Sequence, residues 1–280
     1  MDMKGKVVLI TGATSGIGTE TALGLAKLGA TVVYTTRDDW RGETTRQDIV
    51  RLSGGNQNIE PFHCDLSSFD SIRAFAKAFQ AKHDRLHVLI NNAGTWEKDR
   101  SESMDGFELT WAVNVLAPFL LTNLLLDTVE KSAPARVVNV SSGLHPRGHL
   151  NFDDPEQKNG KFDGSAAYTQ SKVAIILFTN ELARRLEGKG VTANSLAPGW
   201  VATRLSRNSG AFSRAIMSMM ASKPSKGALT SIYAATAQEL ENVTGKYLAD
   251  QKVTDSSPES KDPEKAKRLW DVCAGQVKLQ

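Results

Sequence analysis

Short runs of β-branched and aliphatic residues alternate with longer amphipathic stretches from the start of the chain. Residues 7–11, VVLIT, read as a strand buried on both faces; residues 17–28 read as a helix closed by Gly29, and residues 31–36 as a second strand. The alternation then repeats. Residues 41–52 read as helix ending at Gly54 and Gly55, 59–64 as strand, 69–83 as helix and 86–91 as strand. Residues 107–129 are apolar on most faces and predict a long buried helix kinked at Pro118, followed by a strand at 136–141. Residues 166–186 read as helix, 191–196 as strand, 225–239 as helix and 246–248 as a short last strand. Strands separated by helices predict an α/β single domain, a doubly wound parallel sheet of about seven strands with helices on both faces. Two segments break the rhythm: 143–165, rich in Gly, Pro, Asn and Asp, and 200–224, with Phe212, Met217, Met219 and Met220. Long irregular stretches of this kind are usually functional loops or disorder. The domain is expected to span 1–250, and 251–280 to form a polar tail with a short charged helix.

Composition narrows the class. With 280 residues, 40% hydrophobic and 23% charged, the chain can bury a substantial core and is neither disordered nor collagenous. Lys and Arg number 34 against 31 Asp and Glu, and no basic stripe is present, so no nucleic-acid partner is expected. Cys64 and Cys273 lack metal or redox spacing and are expected to be free thiols, which fits a cytoplasmic setting. His145 and His149 are four apart, but Pro and Gly lie between them, so no metal site is expected. The apolar run after residue 6 is too short for a signal segment or span, and no membrane anchor is expected.

Between the first strand and first helix lies TGATSGIG, with Gly12, Gly16 and Gly18. Glycines there permit a tight turn and let backbone N–H groups approach a pyrophosphate at the positive end of the helix. Tyr168 and Lys172 are four apart on a predicted helix and project from one face. Carbonyl reduction needs a proton for the developing alkoxide, and a free phenol near pKa 10 is a poor donor and base at neutral pH. A neighbouring ammonium favours phenolate, so Lys172 is expected to bring Tyr168 nearer the working pH. Ser142 follows the fifth strand, at the C-terminal sheet edge where such folds bind ligands, with Ser141 as the competing hydroxyl.

The GxxxGxG spacing, HCDLSS with Asp65, NNAG at 91–94, Asn114, VVNVSS, YTQSK and APG at 197–199 together resemble the short-chain dehydrogenase/reductase family over residues 5–250. The resemblance implies a Rossmann-type fold and an oxidoreductase that interconverts a carbonyl and an alcohol by hydride transfer with a nicotinamide dinucleotide. It implies catalytic roles for Asn114, Ser142, Tyr168 and Lys172: Ser142 holds the substrate oxygen, Tyr168 is the acid/base, and Asn114 distorts its helix and supports a water relay to Lys172. Cofactor contacts implied are Gly12, Thr14, Ser15, Gly16, Ile17, Gly18, Asp65, Leu66, Asn91, Ala93, Gly94, Tyr168, Lys172, Pro198, Gly199 and Thr203. Asp65 is also a candidate helix N-cap, and Asn91 a structural tie between strands. Thr36 stands at the family's acidic position and Arg37 follows it, which predicts that NADP(H) is preferred and NAD(H) is the weaker cofactor. Asp38 and Asp39 are alternative carboxylates for that role.

The long link between Ser142 and Tyr168, TTRD at the second strand, GKYLAD and RLWD resemble the retinol-dehydrogenase-like branch. Trp96, Leu144, His145, Trp200 and the segment with Phe212 and the methionines are candidate substrate walls, suited to a bulky apolar, retinoid- or lipid-like small molecule. The methionines equally fit plain helix packing. The alternatives are a non-catalytic dinucleotide-sensing or scaffold protein, and an epimerase or dehydratase on the same fold. In this family the helices expected at 107–129 and 166–186 form the usual self-association face, so a homodimer or homotetramer is a further expectation.

Overall fold

The structure, a computed structural model, describes residues 2–198 and 223–279. Its chain runs β1 (Val7–Ile10), α1 (Gly16–Lys27), β2 (Thr31–Thr36), α2 (Asp39–Leu52), β3 (Ile59–His63), α3 (Phe69–Lys82) and β4 (Val88–Asn91). It continues through α4 (Leu109–Glu130), β5 (Ala135–Val140), α5 (Gly164–Arg185), β6 (Val191–Ala197), α6 (Pro224–Thr236), β7 (Tyr247–Ala249), β8 (Lys252–Thr254) and α7 (Pro263–Gln276). Strands β1 to β7 are parallel, in the order β3-β2-β1-β4-β5-β6-β7, and β8 closes the edge antiparallel to β7.

Side chains alternate across the sheet. Leu9, Val33, Leu89 and Val137 enter the core shared with α3, α4, α5 and α7, whereas Val8, Ile10, Val32, Ile90 and Val138 enter the core shared with α1, α2 and α6. Burial on both faces explains why the strands read as unbroken apolar runs. The chain leaves β1 to build β2 and β3 on one side and returns to place β4 on the other. The crevice above the carboxyl ends of β1 and β4 is therefore the topological switch point, where ligands bind in such sheets.

The structure departs from the sequence expectations in three places. The sheet has an eighth, antiparallel strand among the described residues, made by Lys252–Thr254 directly after a turn with Asp250 and Gln251 at positive φ. The tail is not a polar appendage. Ala266, Leu269, Trp270 and Cys273 recur at helical spacing along α7 and are all buried against α4 and α5. The Trp270 ring lies edge-on to Phe119 at 4.9 Å and beside Phe178 at 5.8 Å, with the Arg185 guanidinium 4.0 Å above it. The seam between α4 and α5, the self-association face that the resemblance implies, thus holds the chain's own C-terminal helix. Third, the disturbance in α4 is not a kink at Pro118 but a π-helical turn at Ala112–Leu116. Pro118 sits in the first turn of the α-helical stretch that follows, where its missing N–H does least harm.

Helix α4 is the one described helix long and apolar enough to cross a membrane, and most of it is buried inside the fold. Cys64 and Cys273 are free and buried. The segments at 199–222, which include Gly199, Trp200, Thr203, Phe212 and Met217 to Met220, lie outside the described residues.

Candidate active site

The loop after β1 is shaped for a phosphate. Gly12 and Gly16 adopt φ of +70° and +61°, a left-handed conformation that side chains resist. A Cβ at Gly12 would stand 3.0 Å from Ala93, so the two strand ends touch only because that atom is missing. Ser15 occupies the N-cap of α1 without a side-chain cap hydrogen bond, leaving the first amides of the helix open toward an anion. Thr14, between the glycines, and Ile17, in the first helical turn, share this loop. Two residues that sequence reasoning passed over lock it. The Thr11 hydroxyl accepts the Asn92 and Ala93 amides at 3.0 Å each, and the Asn92 amide group donates to the Thr11 carbonyl at 2.8 Å. Their signal was present, since Thr11 opens the glycine motif and Asn92 is the second Asn of NNAG.

At the end of β2, Arg37 is exposed, and the acidic neighbours are occupied elsewhere. Asp38 caps α2 by accepting the Arg41 amide at 3.0 Å, and Asp39 faces the His63 ring at 3.2 Å. Asp65 is not the cap of α3; Ser68 is. One Asp65 oxygen takes both the amide and the hydroxyl of Ser67, at 2.9 and 2.8 Å, which fixes the carboxylate at the rim of the crevice beside half-buried Leu66. Asn91 ties the layers together: its amide donates to Thr122 at 3.0 Å and to Asn139 at 2.8 Å, and Asn139 donates on to Thr179 at 2.9 Å. Pro198, half-buried, follows the end of β6 on the same edge of the sheet.

Ser142, Tyr168, Lys172 and Asn114 converge from three elements. Ser141 is excluded as the reactive hydroxyl because it donates to the Lys172 carbonyl inside α5 at 2.7 Å. The Ser142 hydroxyl stands close enough to the Tyr168 phenol to lower its pKa, and its oxygen accepts the Leu144 amide at 3.1 Å, which leaves the serine proton to be donated. One turn along α5, Lys172 Nζ lies 5.5 Å from the Tyr168 ring centre and donates to the Val140 carbonyl at 3.1 Å. Asn114, inside the π-helical turn, accepts the Thr95 amide at 2.8 Å and donates to the Thr95 carbonyl at 2.9 Å and to Ser171 at 3.0 Å. Ser171 in turn donates to the Tyr168 carbonyl at 2.7 Å. Distortion of α4 and the catalytic turn of α5 are therefore one hydrogen-bonded unit.

Electrostatics differ from the expectation that Lys172 draws Tyr168 down. Burial pushes the phenol up, the Ser142 hydrogen bond offsets only part of this, and burial pushes the Lys172 ammonium down to about 8. In the protein alone, desolvation by burial dominates both groups. This carries a stability signature. Below pH 8 the folded state must hold a buried charge that the unfolded chain, with its lysine near 10.5, holds in water. The folded state binds fewer protons between those values, so the penalty fades as pH rises through that window. Lys172→Met is accordingly expected to stabilise the unliganded protein by up to about 3 kcal/mol at pH 7 and by much less at pH 10. Urea unfolding at both values measures it, and a less stable variant at pH 7 would contradict the burial penalty.

The cradle for a dinucleotide fits. A Cβ at Gly94 would sit 3.2 Å from Asn114 Oδ1 and 3.4 Å from Lys172 Nζ, so the bare glycine backbone keeps space between two polar groups at the floor of the crevice. Of the expected substrate walls, Trp96 and Leu144 are half-buried beside the site, and the Trp96 indole nitrogen is buried with no hydrogen-bond partner among the described residues. His145 does not line the substrate space; it is 3% exposed, with both ring nitrogens bound within the protein. The link at 143–165 is largely anchored. Gly148 lies so close to α5 that a Cβ there would run into the Thr169 carbonyl, while Gln170 accepts the Asn151 amide at 2.9 Å and donates to the Pro155 carbonyl at 2.7 Å.

Known proteins place this geometry. A sequence profile of the short chain dehydrogenases matches residues 6–214. Human retinol dehydrogenase 13 is 43% identical over 284 residues, covering 99% of this chain and 86% of its own. Human retinol dehydrogenase 11 is 44% identical, covering 97% and 86%, and mouse retinol dehydrogenase 12 is 43% identical, covering 100% and 89%. Among solved structures, an uncharacterized Mycobacterium Paratuberculosis protein superposes with a TM-score of 0.82 at 31% identity, covering 99% of this chain and 95% of that one. The Pseudomonas aeruginosa RhlG/NADP active-site complex gives 0.70 at 28% identity, covering 88% and 95%. The glycine loop, the Ser-Tyr-Lys cluster and these likenesses agree: the chain belongs to the short-chain dehydrogenase family, is retinol-dehydrogenase-like, and is an oxidoreductase acting on CH–OH groups with NAD(P).

Proposed function

We propose that the protein interconverts a bulky apolar aldehyde or ketone, retinoid- or lipid-like, and its alcohol, with NADP(H) preferred over NAD(H) and Tyr168 as the acid/base. The observation that carries it is the convergence of Ser142 and Tyr168, side by side, with a lysine 5.5 Å from the phenol ring. The retinol dehydrogenases at 43–44% identity support the substrate class, and the NADP in the RhlG complex supports the cofactor.

The bound dinucleotide would supply or accept the hydride at the carbon of the carbonyl or alcohol. Ser142 donates to the substrate oxygen, since its own lone pair already takes the Leu144 amide. Tyr168 passes a proton to that oxygen in reduction and takes it back in oxidation. Lys172, with only the Val140 carbonyl as its described hydrogen-bond partner, has donors left for the ribose side of the cofactor and offers the charge that favours phenolate. The Gly12 to Gly18 loop and the open first turn of α1 would hold the pyrophosphate.

The test is a panel of all-trans-retinal, long-chain aldehydes, ketones, short aldehydes and the matching alcohols, followed by nicotinamide absorbance. Turnover that rises with apolar bulk is expected. Cofactor binding with no oxidation or reduction across the panel would instead favour a dinucleotide sensor. For the cofactor, Arg37→Glu is expected to shift the NADPH-to-NADH ratio of kcat/KM toward NADH by about 10- to 100-fold, the worth of charge-assisted hydrogen bonds to a phosphate. A wild-type enzyme that already prefers NADH would end the assignment of Arg37.

A further inference from the structure

We propose that His145 is a positioning residue: a neutral imidazole, protonated on Nδ1, that spans from the Ser142 carbonyl to the Ser257 amide and holds the catalytic serine in register with Tyr168. The inference rests on the role given above to Ser142 and extends it to a residue that does not touch substrate.

The tautomer follows from two independent contacts. Nε2 lies 3.0 Å from the Ser257 backbone nitrogen, which can only donate, so Nε2 must be a bare acceptor. Nδ1 lies 2.8 Å from the Ser142 carbonyl, which can only accept, so Nδ1 must carry the hydrogen. A charged ring, or the opposite tautomer, would set N–H against N–H at Ser257. The Tyr247 hydroxyl donates to the same Ser142 carbonyl at 3.2 Å, and its ring packs on His145 at 4.7 Å between centroids. Besides the His145 backbone amide at 3.2 Å, that carbonyl thus takes two side-chain donors, one from the turn His145–Arg147 and one from β7, and the Nδ1 contact is the shortest of the three.

The arrangement matters because Ser142 stands just beyond the last residue of β5, where the sheet no longer fixes its main chain. Its predecessor Ser141 is tied to α5, its carbonyl to His145 and Tyr247, and its hydroxyl is left to face Tyr168. On the far side of the strut the C-terminal segment is itself anchored. Glu259 accepts the Leu150 amide at 3.2 Å and faces the His149 ring at 2.9 Å, and Ser260 accepts from Asn180 of α5 at 2.8 Å. The residues from 255 to 261, which look like a linker in the sequence, therefore brace the active-site serine through one imidazole.

Two substitutions separate the halves of the strut. In His145→Asn the amide nitrogen can replace Nδ1 as donor to Ser142, but nothing reaches Ser257. In His145→Gln the amide oxygen can replace Nε2 as acceptor from Ser257, but the side-chain donor to Ser142 is lost and only the backbone amide of residue 145 remains. With NADPH and the best carbonyl of the panel, Asn is expected to keep kcat within about threefold and Gln to lose about tenfold, with KM little changed in both. Equal losses of kcat that track the melting temperature would overturn the proposal, as would a raised KM at constant kcat, which would put His145 against the substrate. If neither variant folds, Tyr247→Phe removes the second donor and keeps the ring; a several-fold fall in kcat supports the proposal and an unchanged kcat sinks it. Side-chain 15N NMR of the wild type at pH 7 should show the Nδ1–H tautomer with Nε2 bare, and an Nε2–H or charged ring refutes the strut. A wild type that turns over nothing on the panel defeats the oxidoreductase reading, whereas the NMR result still decides the strut.

Discussion

Tyr168→Phe is expected to lower kcat by about 10³- to 10⁴-fold, near the upper range for removal of a positioned acid/base, while NADPH affinity changes by no more than about threefold. The substitution removes one oxygen and keeps the ring that packs over Lys172, 5.5 Å from its Nζ. The serine partner of the phenol remains held by the Leu144 amide, and Lys172 remains held by the Val140 carbonyl, so the cofactor cradle keeps its shape. What disappears is the hydroxyl beside Ser142 that can both give and take a proton. A split of this kind, rate lost and binding kept, is what separates a proton-transfer residue from a structural one. Equilibrium binding of NADPH by fluorescence and steady-state turnover on the same preparation measure both arms. Near-normal turnover would remove Tyr168 from the chemistry, and loss of cofactor binding would make it a scaffold residue.

Trp270→Ala is expected to cost about 3–5 kcal/mol of stability, the range for truncating a large buried aromatic. Trp270 is the centre of the packing between α7 and the two long helices, in contact with Phe119 of α4, Phe178 of α5 and the Arg185 guanidinium. Arg185 is itself placed by Glu181, a nearly buried carboxylate that also binds Arg184. Removing the indole leaves a cavity between helices that the sheet holds apart, so the site cannot collapse to fill it. The loss should fall in the core and not in the chemistry: Phe119, Phe178 and Arg185, which Trp270 touches, are not among the residues bonded to Ser142 and Lys172, and kcat of the folded fraction should stay within a few-fold. Urea unfolding gives the number, and Trp270→Phe, which keeps an aromatic in the seam, should recover part of it. A loss below about 1 kcal/mol would mean that α7 is an accessory to the fold and not a wall of its core.

Much of this was legible in the sequence. The β–α alternation, a glycine-rich turn between β1 and α1 and the placing of Tyr168 and Lys172 one turn apart on a helix were all legible, because each depends on residues within a turn or two of one another. The residues of the crevice were also largely identifiable. Legibility failed where a residue's partners lie far along the chain. Asp65 read equally well as a helix cap and as a ligand residue, and only Ser68 taking the cap at α3 separated the two. The tail read as polar because charged residues are interspersed with the apolar ones throughout PEKAKRLWDVCAGQ; the apolar stripe needs only four positions, and it has meaning only opposite Phe119 and Phe178. His145 read as a substrate wall from its place after Ser142, whereas its partners come from Tyr247 and Ser257.

By itself, then, the sequence determined the parallel strands β1 to β7, the helices between them and which candidate reactive residues stand near the switch point. Local backbone preference and burial on both faces set the periodicity, and the reactive residues stand at fixed offsets from those elements. The tertiary structure decided which hydroxyl faces the phenol, that Asn114 joins the distorted turn of α4 to α5, that α7 completes the core, and that the chain's last segment braces Ser142 through His145. The physical reason is the range of the interactions. A buried polar group must find a partner wherever the fold brings one, and that partner is chosen by packing between elements a hundred residues apart, which no local pattern encodes.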